Sequence, residues 1–305
     1  MQLIKSAKIY DVGLPAIARL REHLADLAFT PGPEGEAWAL RYGFVPFSMA
    51  DPVSGPMAMY FPGGVAFQFR VDEKILPEAV VKAKTDERAT EVMKAQGLDA
   101  MPRKWRNEIR ETVRINLLRA AFVRTRVVTA FYHYESRCLF VPANKAMADH
   151  LTAALVKAVG SVKPVTTHVS ELKSGLTTRL ASFINGADDA FGRFSPDGAV
   201  WLRGEAGRLV VQADDLDDVK EGLMHGLKVE AITLSRANGM PSFRLTQDFD
   251  LKSITGLQSD DVEELAEVGD LIEVWQHEAS TQVGIMADCV RGLKEMFEYK
   301  EQEAA

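Results

Sequence analysis

The stretch between Pro77 and Arg119 limits the possible folds more than any other part of the chain. Residues 77–96 are rich in Ala, Glu, Lys and Val, and residues 103–119 continue in the same style after a break at 97–102. That is the composition of two helices, yet large apolar anchors are few. Strand-like sequence lies on both sides. Before it, Val65, Phe67, Phe69 and Val71 alternate with Ala66, Gln68 and Arg70, which predicts a strand with one buried face, entered through a tight turn at Gly63-Gly64. After it come strands at 125–134 and 137–141, joined at Glu135-Ser136. Two helices with so small an apolar stripe, inserted between strands, read as a helical hairpin projecting from a larger body.

The remaining segments mix strands and helices without a fixed repeat. Residues 2–10 read as a strand, and Pro15, Ile17, Leu20, Leu24 and Leu27 mark an amphipathic helix to about Ala28. Short strands are expected at 43–47 and 57–61. Asn144 caps a helix lined by Met147, Leu151, Leu155 and Ala158, and Gly160 stops it. Leu172, Leu176, Leu180 and Phe183 make another helix, ended by Gly186. Strands follow at 199–203, 208–212, 228–235 and 242–247, with a short helix between the second and third. Ser259 with Asp260, Asp261 and Glu263 marks a helix start, and a last helix spans 281–299. The pattern predicts an α+β fold with mixed or antiparallel sheets, packed helices and the projecting hairpin. Three parts are expected: a central α+β domain from 1–76 and 120–170, a helical projection at 77–119, and a second α+β domain at 171–305.

The first ten residues carry Lys5 and Lys8 within their apolar stretch, so no signal peptide is expected, and no window is apolar enough for a membrane span. This points to a cytoplasmic protein. Cys138 and Cys289 are expected to be free buried thiols, although a single bridge is the other possibility. The net charge of -7 argues against a polyanion partner until its distribution is considered. From residue 197 onward there are 23 acidic and 10 basic side chains, a balance of -13, which leaves +6 for the first 196 residues. Between 101 and 126, Arg103, Lys104, Arg106, Arg110, Arg114, Arg119, Arg124 and Arg126 face only Glu108 and Glu111. Local field decides where a polyanion docks.

Arg103, Arg106, Arg110 and Arg114 recur at spacings of 3, 4 and 4, so they share one helix face over about 16 Å. One reading is a row of unpaired guanidinium groups, whose forked donors match phosphate oxygens. The other, which the charge pattern alone favours, is a solvated face partly neutralised by acids elsewhere in the fold. Trp105, Ile109, Val113 and Leu117 fall on a different face, which can pack inward.

Catalytic patterns are weak. No phosphate loop, dinucleotide fingerprint or nucleophile elbow is present, and the six histidines are scattered. Asp214, Asp215, Asp217 and Asp218 read as helix-capping acids rather than a metal site. The enzyme alternative is a Mg²⁺-dependent nuclease using Asp197, Asp250 and Lys252. A third possibility is a protein-interaction module that uses the acidic second half for a basic partner.

Several strings together carry a resemblance. Leu27-Ala28-Phe29-Thr30-Pro31, then Gly43-Phe44-Val45-Pro46, then Asp72-Glu73-Lys74-Ile75-Leu76-Pro77 occur in this order and spacing in the RdgC family. Glu78-Ala79-Val80-Val81-Lys82 matches the helix start that follows, and Leu117-Leu118-Arg119-Ala120-Ala121-Phe122 resembles the family's L-L-P-R-A-F. The resemblance is strong to about residue 165 and afterwards rests on element order and length.

What the resemblance implies is a non-enzymatic protein that binds double-stranded DNA with little sequence preference. Family members form a head-to-head homodimer closed into a ring with a positive central hole, use no cofactor, and restrain RecA-promoted recombination. A nucleoid-associated location follows. Lys74, in the matched motif, contributes to the hole, and Lys82 follows it in the matched helix start. Phe122 is a candidate subunit contact, with core packing as its alternative. Arg103, Lys104, Arg106, Arg110 and Arg114 come from the charge pattern and not from the resemblance. One departure concerns Arg119: it stands where the family has proline, and Ala120 where it has arginine, so the charge rotates by about 100° on a helix.

Overall fold

The computed structural model describes residues 2–47, 54–160, 165–166, 172–205, 207–212, 216–236, 239–258 and 270–297. Among them are two sheets whose strands pair antiparallel, and seven helices, so the α+β expectation holds. The strands are β1 (Lys8–Asp11), β2 (Leu40–Val45), β3 (Ala58–Phe61), β4 (Gly64–Lys74), β5 (Val123–His133), β6 (Cys138–Val141), β7 (Val165–Thr166), β8 (Phe194–Gly204), β9 (Gly207–Gln212), β10 (Lys228–Arg236), β11 (Ser242–Thr246) and β12 (Leu251–Thr255). The helices are α1 (Ile17–Asp26), α2 (Glu78–Gln96), α3 (Arg103–Ala120), α4 (Lys145–Val159), α5 (Leu172–Ile184), α6 (Leu216–Met224) and α7 (Leu271–Met296). Seven strands hydrogen-bond in the order β2-β4-β5-β6-β1-β7, with β3 on β4, and five in the order β12-β11-β10-β8-β9.

Internal packing divides the chain into two units. One holds residues 1–26, 46–68 and 128–305, and the other residues 27–45 and 69–127, so β4 and β5 each carry residues of both.

The larger unit holds the main core. Gly63, at φ 87°, turns β3 into β4, so that Phe61 pairs with Gly64 and Ala58 with Phe67. A hydrophobic stripe on α7 (Trp275, Ala279, Val283, Met286, Val290 and Leu293) recurs every three or four residues and is buried throughout. Each large side chain of that stripe contributes roughly 1.5–3 kcal/mol of burial. Trp275 sits 4.9 Å from Phe47 and 6.3 Å from both Phe61 and Phe131. Buried Gln282 accepts from the N–H groups of Leu3 and Ile4 at 2.8 and 3.3 Å and donates to buried Glu278, which satisfies polar groups that would otherwise be costly there. Cys138 and Cys289 are free and buried, as expected.

The smaller unit is built on β2, the end of β4 and the start of β5, with α2 and α3 between them. Gly43 lets the chain fold closely on itself: Phe44 N–H donates to the Leu27 carbonyl at 3.0 Å and Phe29 N–H to the Phe44 carbonyl at 2.7 Å. A Cβ at residue 43 would stand 2.6 Å from the Phe29 Cα, so any other residue forces the segments apart. Phe44 and Phe69 pack edge to face at 5.2 Å in the core of this unit.

Four expectations need correction. β4 is buried on both faces over its first half, because Ala66 and Gln68 are covered as well as Val65 and Phe67. The final helix begins at Leu271, capped by Asp270, ten residues ahead of the expected 281. β12 is an additional strand, and the strand expected over 2–10 is confined to Lys8–Asp11. The helix start at Ser259 and the residues Asp214 and Asp215 lie outside the described residues.

Candidate nucleic-acid interface

The helical hairpin forms as its sequence demands. Gly97 takes the left-handed conformation at φ 65° and its N–H closes on the Met93 carbonyl, ending α2. Pro102 stands just ahead of α3 and has no N–H to leave unsatisfied at the helix start.

Three of the four arginines in the row are ion-paired, as the reading of a face neutralised by acids elsewhere in the fold has it. Arg106 pairs with Asp86, while Arg110 and Arg114 reach the two oxygens of Glu78 at 2.7 and 3.2 Å. Glu78 and Asp86 are eight residues apart, two turns along one face of α2, and match the eight-residue spacing of Arg106 and Arg114 in the antiparallel partner. The acids that neutralise the row come from the neighbouring helix. Arg103 has no ion-pair partner among the described residues, nor has Lys104, Lys82 or Arg119, and all four are exposed. Lys82 lines one cavity with Glu78, Arg106 and Arg110.

The second apolar face is corrected. No residue of α3 is buried, and α2 buries only Val81, Thr85 and Ala89, which are too small to cover a tryptophan-bearing stripe. Trp105, 42% exposed, lines an open groove of about 730 Å³ with Ile109, Val113, Leu117 and Val92.

A second shared carboxylate was not foreseen. Glu73, near the end of β4, accepts from Arg124 at 2.6 Å and from Arg126 at 3.1 Å. These arginines are two residues apart on β5 and therefore on one face of it; the spacing was present in the sequence. Hydrogen bonding from Arg124 holds the Glu73 carboxyl below the usual glutamate range, and hydrogen bonding from Arg110 does the same for Glu78. Each glutamate therefore stays ionised between two guanidinium groups, and each three-residue cluster keeps a charge of +1.

Lys74 occupies an unexpected position. It is 8% exposed, and its ammonium donates to the carbonyls of Glu36 at 2.8 Å, Leu118 at 2.6 Å and Arg119 at 3.5 Å, over the Trp38 ring. It tethers the C-terminal carbonyls of α3, where a cation meets the negative end of the helix dipole. Phe122 follows immediately and is 86% exposed, which removes core packing as its role. Its carbonyl accepts from Ile75 N–H at 2.8 Å. Ile75, Val123 and Val127 are about half exposed in the same unit.

Charge separates with the two units. Residues 27–45 and 69–127 carry 15 basic and 11 acidic side chains, a net of +4, which leaves -11 for the other unit. The nuclease candidates do not gather. Both oxygens of Asp250 are held by Lys8 at 2.8 and 2.6 Å, whereas Asp197 is exposed on β8 and Lys252 on β12. Among the described residues no group of three His, Cys, Asp or Glu could hold a metal, and no helix is long and apolar enough to cross a membrane. Asp217 and Asp218 lie in the first turn of α6, as capping acids do.

Fold and site together define an α+β protein with a net-positive helical-hairpin unit in which single glutamates bridge pairs of arginines. Residues 3–299 match the family described as "Putative exonuclease, RdgC", and the chain belongs to the RdgC family. Among its relatives, the recombination-associated protein RdgC of Bordetella pertussis is 28% identical over 262 residues, covering 83% of this chain and 84% of the relative. The protein of the same name from Burkholderia orbicola is 30% identical over 195 residues, 62% of each chain. That of Psychromonas ingrahamii is 29% identical over 163 residues, 52% of each.

Proposed function

We propose that this chain binds double-stranded DNA without sequence preference, as a homodimer closed into a ring around the duplex, and that this occupancy restrains RecA-dependent recombination. The observation that carries the reading is the concentration of positive charge in one unit of a protein whose net charge is -7. The contacts assigned to phosphates are Arg103, Lys104, Lys82 and Arg119, together with the bridged pairs Arg110–Arg114 and Arg124–Arg126. A glutamate between two arginines fixes their guanidinium groups while leaving forked donors for a phosphate. Lys74, fully engaged with backbone carbonyls, acts instead by positioning the end of α3. Affinity then comes from counterion release, which reads no bases.

Phe122 and the apolar groove of α3 are assigned to subunit contact, since exposed apolar groups of this kind mark interfaces. The relatives' common name, recombination-associated protein, supports the connection to recombination. The family description also contains the word exonuclease. Two-metal or one-metal cleavage needs carboxylates free for Mg²⁺, and Asp250 is instead ion-paired with Lys8. The reading is therefore of a binder without catalysis or cofactor, acting on the nucleoid in the cytoplasm.

Binding to linear and covalently closed circular duplexes of equal length, with Mg²⁺ present, followed by a high-salt challenge, tests this. Uncleaved DNA and greater salt resistance on the closed circle support encirclement. Equal loss from both removes the ring, and shortening of the linear duplex removes the non-catalytic reading.

A further inference from the structure

The larger unit carries -11 overall, yet one cavity in it is lined by cations and by no carboxylate. It lies where the chain leaves β1 and enters α1, and its volume is about 590 Å³. Arg19, His23 and Arg137 line it together with Tyr132 and Tyr134. Neither guanidinium, nor the imidazole, has an ion-pair or hydrogen-bond partner among the described residues. Elsewhere in this unit Arg193, Arg236 and Arg291 are paired with Asp288 and Arg203 and Arg208 with Glu230, Arg21 and Arg179 donate to backbone carbonyls, and Arg244 lies over the Trp201 ring. Two unpaired arginines facing one hollow in an acidic body is a local reversal of charge.

The backbone is arranged to hold Arg137 there. In the turn between β5 and β6 this residue adopts φ 54°, a left-handed conformation that costs a non-glycine side chain energy unless the surroundings enforce it. The surroundings do: Val12 N–H donates to the Arg137 carbonyl at 2.9 Å, and His133 and Ser136 close the same turn through a 3.0 Å contact. The side chain then lies across Gly13, where a Cβ would stand 2.8 Å from Nη2. Tyr132 accepts from Leu14 N–H at 3.4 Å, and Tyr134 packs edge-on against it at 5.4 Å, giving the hollow an aromatic wall. A strained cation, a glycine that makes room for it, a second unpaired arginine and an aromatic wall form a constellation suited to a phosphate attached to a flat ring. The volume falls within the range of about 300–1,000 Å³ usual for small-ligand sites.

We infer that this cavity binds a phosphate monoester of mononucleotide size, with Arg19 and Arg137 on the phosphate and the tyrosines beside the ring. The source of the phosphate is either a free nucleotide or the 5′-phosphorylated end of a DNA strand. The site lies apart in sequence from the hairpin residues assigned to duplex binding and does not depend on that assignment.

Titration calorimetry on the full chain tests it, with a 5′-mononucleotide, inorganic phosphate, and short duplexes with and without 5′-phosphates. Arg137→Gly removes the guanidinium and suits the left-handed backbone, so its thermal midpoint should not fall, while affinity drops at least tenfold by loss of a charge-assisted contact. Arg19→Gln should weaken binding similarly, and Gly13→Ala should do so by displacing the Arg137 head. Saturable binding of the mononucleotide assigns a free ligand; tighter binding of the 5′-phosphorylated duplex than of its unphosphorylated twin, without binding of the mononucleotide, assigns a DNA end. No saturable heat with the mononucleotide or inorganic phosphate together with equal binding of the two duplexes, or variants that bind like the parent, overturns the inference. Unchanged closed-circle binding by these variants separates its failure from failure of the duplex-binding reading.

Discussion

The ammonium of Lys74 donates to the carbonyl of Leu118 at 2.6 Å, so the last residue of β4 is tied to the final turn of α3. The lysine of the family motif therefore acts as a structural tether in this chain. Replacing it with methionine keeps the length of the side chain but leaves buried carbonyls without their donor, which costs on the order of 1–3 kcal/mol. Lys74→Met should lower the urea midpoint while leaving the salt slope of DNA binding unchanged. A slope reduced by one charge with no loss of stability would make Lys74 a direct phosphate contact.

Glu78 and Glu73 each restrain two arginines. Glu78→Gln should raise affinity for duplex DNA, because Arg110 and Arg114 lose their competing carboxylate, and should steepen the salt dependence. Fluorescence anisotropy of a labelled duplex at several salt concentrations reads both effects. Weaker binding would mean that the glutamate's positioning of the arginines matters more than its charge.

The same pairs predict how stability responds to acid. In the folded state both carboxyls titrate below the ordinary glutamate value of 4.5, chiefly through hydrogen bonds from Arg124 and Arg110. Their stabilisation is therefore fully present above that value and is lost as pH falls through the lower folded-state value. Thermal unfolding between neutral pH and pH 3 should show this acid-side decline, and Glu73→Gln should flatten it. An identical decline in the variant would place the acid sensitivity elsewhere.

Much of this arrangement was legible in the sequence, and the exceptions have physical causes. The hairpin could be read because Gly97 and Pro102 punctuate two strongly helical stretches. Which acids pair with its arginines was not read because periodicity within one helix says nothing of the acids on the next, although the eight-residue spacing of Glu78 and Asp86 carried that information. Ala66 and Gln68 looked solvent-facing because alternation alone cannot distinguish a covered sheet face from an open one. The start of α7 was missed because its buried stripe there includes Glu278, a charged residue whose partner Gln282 lies one turn further along the same helix. Lys74 looked exposed because a lysine is rarely buried, and the carbonyls that hold it come from residues 36, 118 and 119.

Burial pushes the thiols of Cys138 and Cys289 up to about 11. Little thiolate exists near neutral pH, and access is poor, so both should resist a thiol-reactive chromogen in the native protein and react fully after denaturation. Rapid native labelling of either would show that its element opens on the timescale of the assay.

Phe122 should govern assembly without governing folding. At 86% exposure, Phe122→Glu removes no core contact, so the thermal midpoint should stay within about 0.5 kcal/mol-equivalent of the parent. Sedimentation velocity should meanwhile show a shift from dimer towards monomer. A variant that remains dimeric places the subunit contact away from Phe122.

The central claim is that affinity for duplex DNA is electrostatic and resides in the hairpin unit. It is tested most directly by measuring the dissociation constant across a salt series for the parent and for an Arg103→Gln/Lys104→Gln/Arg119→Gln variant. If about 6 to 10 phosphates are contacted, the parent should lose roughly 10³ to 10⁵-fold in affinity between about 50 and 200 mM salt, equally for unrelated sequences. The variant should bind more weakly with a slope shallower by up to about three charges. A parent whose affinity is flat with salt, or a variant whose slope is unchanged, would contradict the account.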